Sequence, residues 1–246
     1  MQKYFNVFLE FDHNRFHSVI KETIATKGKG YICVIDANVL TMAQNDFEYR
    51  SVLNNSMVNT CDGSSIAVMA SWIHKTKFQA LNGPEIFESY IEMPYKQVLL
   101  GNTEAIVERI KNTLISKGKE ISFLHALPLP FVSVDEFDYV SIAAELNILK
   151  PDIIWVSLGA PKQEKFMFKL LPFLEDGVMF GIGAAFNFYI GELNVPRIKI
   201  GRLKFIWLNR LYKEPGKLTI RLLRYLMKLP GLYLEERKVF KNRYIY

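Results

Sequence analysis

A chain of 246 residues, 50% hydrophobic and 23% charged, supports a packed core in one large domain or a domain with an appendage, and excludes global disorder. Two distant cysteines without CxxC spacing and four histidines without HExxH give neither a disulfide scaffold nor a metal site, which fits a reducing cytoplasm. The net charge of +6 is uneven: residues 1–196 carry 17 Lys/Arg against 22 Asp/Glu, a net of −5, whereas Arg197–Tyr246 carries 14 against three, a net of +11. A basic end on an acidic body points to a polyanionic partner, either nucleic acid or an anionic membrane surface.

The opening MQKYFNVFLEFDHN is too short and too charged for a signal peptide, and no run reaches the ~18 apolar residues of a spanning helix. Neither export nor integral embedding is expected. His13 and His17 stand four apart on a predicted helix face, with no Cys or Glu placed to complete a metal site. From there, short β-branched or aromatic runs alternate with helical periodicity. Strands are predicted at 31–36, 97–102, 121–126, 152–159 and 178–183. Helices are predicted near 13–27, 40–55, 64–75, 84–92, 103–117, 138–149 and 162–174. The alternation predicts an α/β fold with a parallel sheet covered on both faces. In such sheets ligands bind outside the carboxyl ends of the strands. That restricts the search to Asp36, Gly101-Asn102, Gly159-Ala160, Gly181-Ile182-Gly183 and the loop Thr60-Cys61-Asp62-Gly63.

The last fifty residues are helical in composition, with breaks expected at Pro215-Gly216 and Pro230-Gly231. Between Leu218 and Leu229, Arg221, Arg224 and Lys228 share one face while Leu222, Leu223, Leu226 and Met227 cover much of the rest. Two readings are open: an interfacial helix pair whose cations meet lipid phosphates, or a helix packed on the body or on another subunit. Nucleic acid is disfavoured, because no aromatic platform or helix-turn-helix pattern accompanies the charge. The boundary falls between a body over 1–195 and an appendage over 196–246.

Three stretches could carry chemistry. In NTCDGSS, Asp62-Gly63 reads as a turn and helix entrance, or as a carboxylate held ionised by a helix dipole and able to act as a general base. In VIDANVL, Asp36 and Asn38 read as caps, or as groups for sugar or ribose hydroxyls in the same crevice. In GIGAAFNF, Gly181 and Gly183 permit close backbone approach at a strand end. Phe186 stands where a dinucleotide fingerprint has its third small residue, so a nicotinamide or flavin site is not supported. No GxxxxGK[ST] and no GxSxG occur.

NTCDG, GPEIF, KPDIIWVSLGAPKQEKFM, GIGAAFNFYIGELNVPR and WLNRLYKEP occur in one characteristic order. Over essentially its full length the chain resembles the WecG/TagA/CpsF glycosyltransferases. The resemblance implies a Rossmann-like body and an inverting, metal-independent transfer that needs no cofactor beyond its UDP-sugar donor. The implied acceptor is an undecaprenyl-diphosphate-linked saccharide at the inner face of the bacterial cytoplasmic membrane. The C-terminal appendage would close the site and touch that membrane, and it can also pack between subunits in a homo-oligomer. By position, Asp62 corresponds to the general base, Asn38 to an amide near the site and Gln163 to the nucleotide-sugar motif. Arg210 corresponds to an appendage cation that neutralises the diphosphate.

On this reading Gly159, Ala160 and Pro161 end a strand beside the donor, Lys162 favours phosphate charge, and Glu164 caps or turns to a hydroxyl. Arg197 and Arg202 join Arg221, Arg224 and Lys228 as cations for lipid or phosphate. The chain departs from the family pattern at Asp36 (usually Thr), Ala80 (often Arg), Asn187 (commonly Asp), Asn194 and Ile206, which bears on donor choice. The alternative from another class is a non-catalytic member that binds nucleotide-sugar or lipid-linked glycan within an assembly complex.

Overall fold

The computed structural model describes residues 1–193, 199–200, 203–204 and 215–243, with side chains over 1–193 and 226–242. A hairpin of β1 (Gln2–Tyr4) and β2 (Val7–Leu9) opens the chain. Its turn places Phe5 and Asn6 at positive φ, the backbone that tight hairpins require. Then follow α1 (His13–Ala25), β3 (Lys29–Ile35), α2 (Ala37–Asn45), α3 (Phe47–Asn54), β4 (Val58–Cys61), α4 (Ser64–His74) and α5 (Gly83–Ile91). The second half runs β5 (Gln97–Leu100), α6 (Glu104–Ser116), β6 (Leu124–Leu127), α7 (Tyr139–Leu149), β7 (Ile153–Val156), α8 (Lys162–Leu170), β8 (Gly177–Gly181) and α9 (Ala185–Tyr189). A short ladder of β9 (Lys199–Ile200) and β10 (Leu203–Lys204) precedes the long helix α10 (Pro215–Arg243).

Six strands form one parallel sheet in the order β4-β3-β8-β7-β5-β6. Its central strands are buried along their length, so helices must cover both faces. Alternation along each strand sorts the core into two layers. Tyr31, Cys33, Ile35, Ile154, Val156 and Met179 pack under α2, α3, α4, α7, α8 and α10. Ile32, Val34, Leu99, Trp155 and Phe180 pack under α1, α5, α6 and α9. The α/β class and the parallel sheet flanked by helices are as expected from the sequence.

Several boundaries differ from expectation, each for a local reason. The predicted helix 40–55 is two helices, because Asp46 leaves helical backbone and its carboxylate caps α3 through the Tyr49 amide at 2.9 Å. The predicted strand 121–126 lies at Leu124–Leu127, paired in parallel with Gln97–Leu100. Val58–Cys61 is a true strand, in register with Ile32–Ile35. No break occurs at Pro230: α10 runs through it, which corrects the expected helix pair. A proline inside a helix loses one hydrogen bond. Here Leu229, Leu232, Tyr233 and Phe240 pack on the body core and hold the axis continuous. No described helix is long and apolar enough to cross a membrane.

Glu236 fastens α10 to the body. Its buried carboxylate accepts from the Phe5 backbone N–H at 2.6 Å and lies 2.8 Å from His74 Nε2. The His74 ring sits edge-on to Tyr4 and Phe240, so α4, the first hairpin and α10 meet at one polar contact inside an aromatic shell. Lys228, a cation expected at the membrane, donates to Asn45 Oδ1 at 3.3 Å. Leu226, Met227 and Leu234 stay exposed on the same helix.

Candidate active site

The carboxyl edge of the sheet gathers the residues singled out in the sequence. Ile35 and Cys61 are register partners, so Asp36 and Asp62 follow on adjacent strand ends. A Cβ built at Gly63 would stand 3.8 Å from the Ala37 amide nitrogen, and this closeness joins the two turns. Asp36 caps α2, its Oδ1 accepting from Val39 N–H at 2.7 Å. Asn38 lies half-buried on the first turn of that helix.

Asp62 continues the ladder through its own amide, which donates to Ile35 O at 2.9 Å. Its carboxylate oxygen Oδ1 accepts from Gly83 N–H at 3.1 Å. Gly83 opens α5, so the positive end of that helix dipole faces Asp62, an arrangement suited to an ionised carboxylate. A Cβ on Gly83 would lie 3.6 Å from Ile182 O. The start of α5, which bonds Asp62, therefore also abuts the end of β8.

The Gly159-Ala160-Pro161 turn links β7 to α8. Gly159 has φ +74° with open space where a side chain would be, the left-handed backbone that favours glycine, and Ala160–Pro161 is a cis peptide. Gln163 is buried and bridges back, its Oε1 accepting from Gly159 N–H at 3.2 Å. Its Nε2 donates to Glu164 Oε1 at 2.8 Å, and Tyr49 OH donates to Glu164 Oε2 at 3.0 Å. A Cβ at Gly181 would collide with Met167 Cε at 2.6 Å and crowd Gln163 Nε2 at 3.3 Å. The groups that approach the β8 glycine closely are thus the protein's own Met167 and Gln163. Gly183 follows, its carbonyl accepting from Ser157 Oγ at 2.8 Å.

Glu164 is fully buried, behind Gln163 and away from open solvent. Burial pushes its carboxyl up from the usual 4.5 to about 7 and outweighs hydrogen bonds from Gln163, its own backbone and Tyr49; Asp36 adds to the upward push. The folded state therefore holds this proton more tightly than the unfolded chain. The resulting stability is full below the unfolded value and is lost as pH rises through about 7, by roughly 3 kcal/mol. In urea titrations the stability of the wild type relative to Glu164→Gln is expected to fall between about pH 5 and about pH 8 by that order. An equal difference at both ends would show that Glu164 ionises alike in the folded and unfolded chain.

Lys162 leaves the crevice for the loop beyond β6. Its ammonium donates to the Val132 carbonyl and lies 5.4 and 5.0 Å from the Phe131 and Phe137 ring centroids. Asn187 is half-buried on α9, and its carbonyl accepts from Leu193 N–H at 2.9 Å. Arg197, Arg202 and Arg210 lie outside the described residues, as do Asn194 and Ile206. The side chains of Arg221 and Arg224 lie outside them as well. Among the described residues no three His, Cys, Asp or Glu side chains gather as a metal-binding group. Cys33 and Cys61 are free and buried on neighbouring strands.

One residue at this edge was passed over in the sequence as a mere strand end. Asn102, after β5, carries a buried side-chain nitrogen with no hydrogen-bond partner. The signal was its position between Gly101 and the Thr103 cap of α6.

Asp62, the β8 turn and the start of α8 lie close together at this edge, and comparison with known proteins gives the chain a class. Residues 5–243 match the model of the Glycosyl transferase WecG/TagA/CpsF family. Among similar proteins is the N-acetylglucosaminyldiphosphoundecaprenol N-acetyl-beta-D-mannosaminyltransferase of Staphylococcus aureus strain NCTC 8325. It is 22% identical over 208 residues, covering 81% of this chain and 80% of that protein. The proteins of the same name in strains COL and MRSA252 match at the same identity and coverage. With a match over nearly all of its length, the chain belongs to the WecG/TagA/CpsF family and is a glycosyltransferase.

Proposed function

We propose that this protein moves a sugar from a UDP-sugar to a polyprenyl-diphosphate-linked saccharide, with inversion at the anomeric carbon and without a metal. The observation that carries the reading is the placement of Asp62: a carboxylate at a parallel-strand end, fixed by the first amide of α5 and beside Asp36. The relatives' name supports the acceptor class, since those proteins transfer N-acetylmannosamine to a diphosphoundecaprenol-linked sugar.

In the reaction, Asp62 takes the proton of the acceptor hydroxyl as its oxygen forms a bond to the anomeric carbon. The bond from that carbon to the UDP β-phosphate oxygen breaks on the opposite face, and UDP leaves with the electron pair. Arg210 and the positive end of the α8 dipole supply stabilisation for the departing diphosphate. An arginine suits that task because its fork can hold two phosphate oxygens at once. Asp36, where the family pattern has Thr, is set to contact sugar hydroxyls, as a negative charge opposes a diphosphate. The basic region from residue 196 serves as the appendage that meets the anionic membrane surface, as its net charge of +11 supports. The protein then works as a peripheral enzyme on the cytoplasmic face.

The test uses the full chain in EDTA with a panel of UDP-N-acetylhexosamines and a GlcNAc-diphosphate-lipid acceptor. Proton NMR of the new anomeric centre reads the outcome. An inverted linkage formed in EDTA is expected. A retained configuration, or turnover that returns only with added metal, would overturn the mechanism.

A further inference from the structure

Glu164 is fully buried on the first turn of α8, and the transfer chemistry above gives it no task. A buried carboxylate is a weak source of stability: it loses its water, and an apolar side chain of similar size would pack there without that cost. What it does provide is direction. Its two oxygens accept from two different elements, Oε2 from Tyr49 OH of α3 at 3.0 Å and Oε1 from Gln163 Nε2 at 2.8 Å. Tyr49 is itself buried in the core, so the carboxylate is held from behind while it holds Gln163 in front.

Gln163 is the group being directed. Its Oε1 accepts from Gly159 N–H at 3.2 Å, and a backbone N–H can only donate, which decides the orientation of the amide. The nitrogen then faces Glu164, where a carboxylate oxygen meets it. Turning the amide over would set donor against donor at Gly159 and acceptor against acceptor at Glu164, so one orientation is locked. An amide nitrogen carries two hydrogens, and the bond to Glu164 uses one. Among the described residues, a Cβ at Gly183 would meet only this amide, Oε1 at 3.6 Å and Nε2 at 3.9 Å. The amide therefore lies against the β8 turn, at the carboxyl edge where parallel sheets bind ligands.

We propose that Glu164 is a positioning residue for the transfer: backed by Tyr49, it locks the Gln163 amide so that the remaining N–H is presented to a substrate oxygen. The inference rests on the glycosyl-transfer reading above, and the experiment separates the two. Initial rates with UDP-N-acetylhexosamines and a GlcNAc-diphosphate-lipid are measured on the full chain, together with urea midpoints near neutral pH. The variants are Glu164→Met, Glu164→Gln, Gln163→Met and the double variant Gln163→Met/Glu164→Met. Glu164→Met keeps the volume and removes the acceptor, so a midpoint at or above that of the wild type is expected, with transfer slowed about tenfold or more. Glutamine still offers an oxygen to Gln163 and an N–H to the Tyr49 oxygen, so Glu164→Gln is expected to restore the rate to within about threefold of wild type. Because Glu164 acts through Gln163, Glu164→Met should slow the Gln163→Met background by less than about twofold. A wild-type rate in folded Glu164→Met, or losses that multiply in the double variant, would overturn the positioning role and leave the transferase reading standing. Should Glu164→Met not fold, Tyr49→Phe decides. A rate lowered several-fold at unchanged far-UV circular dichroism supports the role, and a full rate assigns Glu164 to structure alone. Absence of transfer by the wild type would overturn both readings.

Discussion

Asp62→Asn is expected to lower kcat by roughly 10²–10⁴-fold, the range a positioned general base supplies, while the Kd for UDP stays within about twofold. The structure makes this substitution a clean one. Asparagine keeps the side-chain size and can still accept the Gly83 N–H that now bonds Asp62 Oδ1. The start of α5 and the turn at Gly63 therefore keep their anchor, and no core residue moves. What the amide cannot do is take a proton from an attacking hydroxyl. Single-turnover transfer with bound donor isolates that step from product release. Unchanged transfer in a folded variant would remove Asp62 as the base and shift attention to Asp36 on the neighbouring strand end.

The largest stability effect is expected at Glu236. Replacing it by alanine leaves the Phe5 amide and the His74 ring nitrogen without their buried acceptor. Stranding buried polar groups costs about 1–3 kcal/mol each, so a loss of roughly 2–4 kcal/mol is expected. Glu235, one residue earlier and exposed, should change stability by less than about 0.5 kcal/mol when replaced in the same way. Urea midpoints of the two variants give the comparison. Hydrogen exchange should rise in residues 226–242 and at the Phe5 amide in Glu236→Ala alone. Equal midpoints for both variants would mean that the described part of α10 is held by its apolar contacts, with the polar contact adding nothing.

The candidate site was legible to the extent that strand ends and turn chemistry mark it. Asp36 and Asp62 each follow a short apolar run and precede a helix, and their strands proved to be neighbours. Gly159 was legible as a turn glycine because only the backbone decides its conformation. Gly181 was not: its room is taken by Met167 and Gln163, a tertiary fact that no local pattern carries. Glu164 was read as a helix-start carboxylate, yet it is buried. Phe166, Met167 and Leu170 make the buried apolar stripe of α8, and Gln163 and Glu164 fall in step with it, so the burial of Glu164 follows from helical periodicity.

Glu236 carried the same kind of clue. It falls in step with Leu229, Leu232, Tyr233 and Phe240, which pack on the core, but a glutamate inside a basic run reads first as solvated surface. Pro230 misled in the opposite direction. Its break signal is real in an isolated helix, and packing on both sides of it prevails here. The opening hairpin was missed because its three-residue strands are too short for alternation to register.

Acceptor-dependent release of UDP tests the central claim most directly. The full chain is given a UDP-N-acetylhexosamine with and without a GlcNAc-diphosphate-lipid, and free UDP is followed over time. Release that requires the acceptor and matches product one for one is the expected result. Bound nucleotide with no release in the presence of acceptor, or release at the same rate without it, would contradict a transferase built around Asp62.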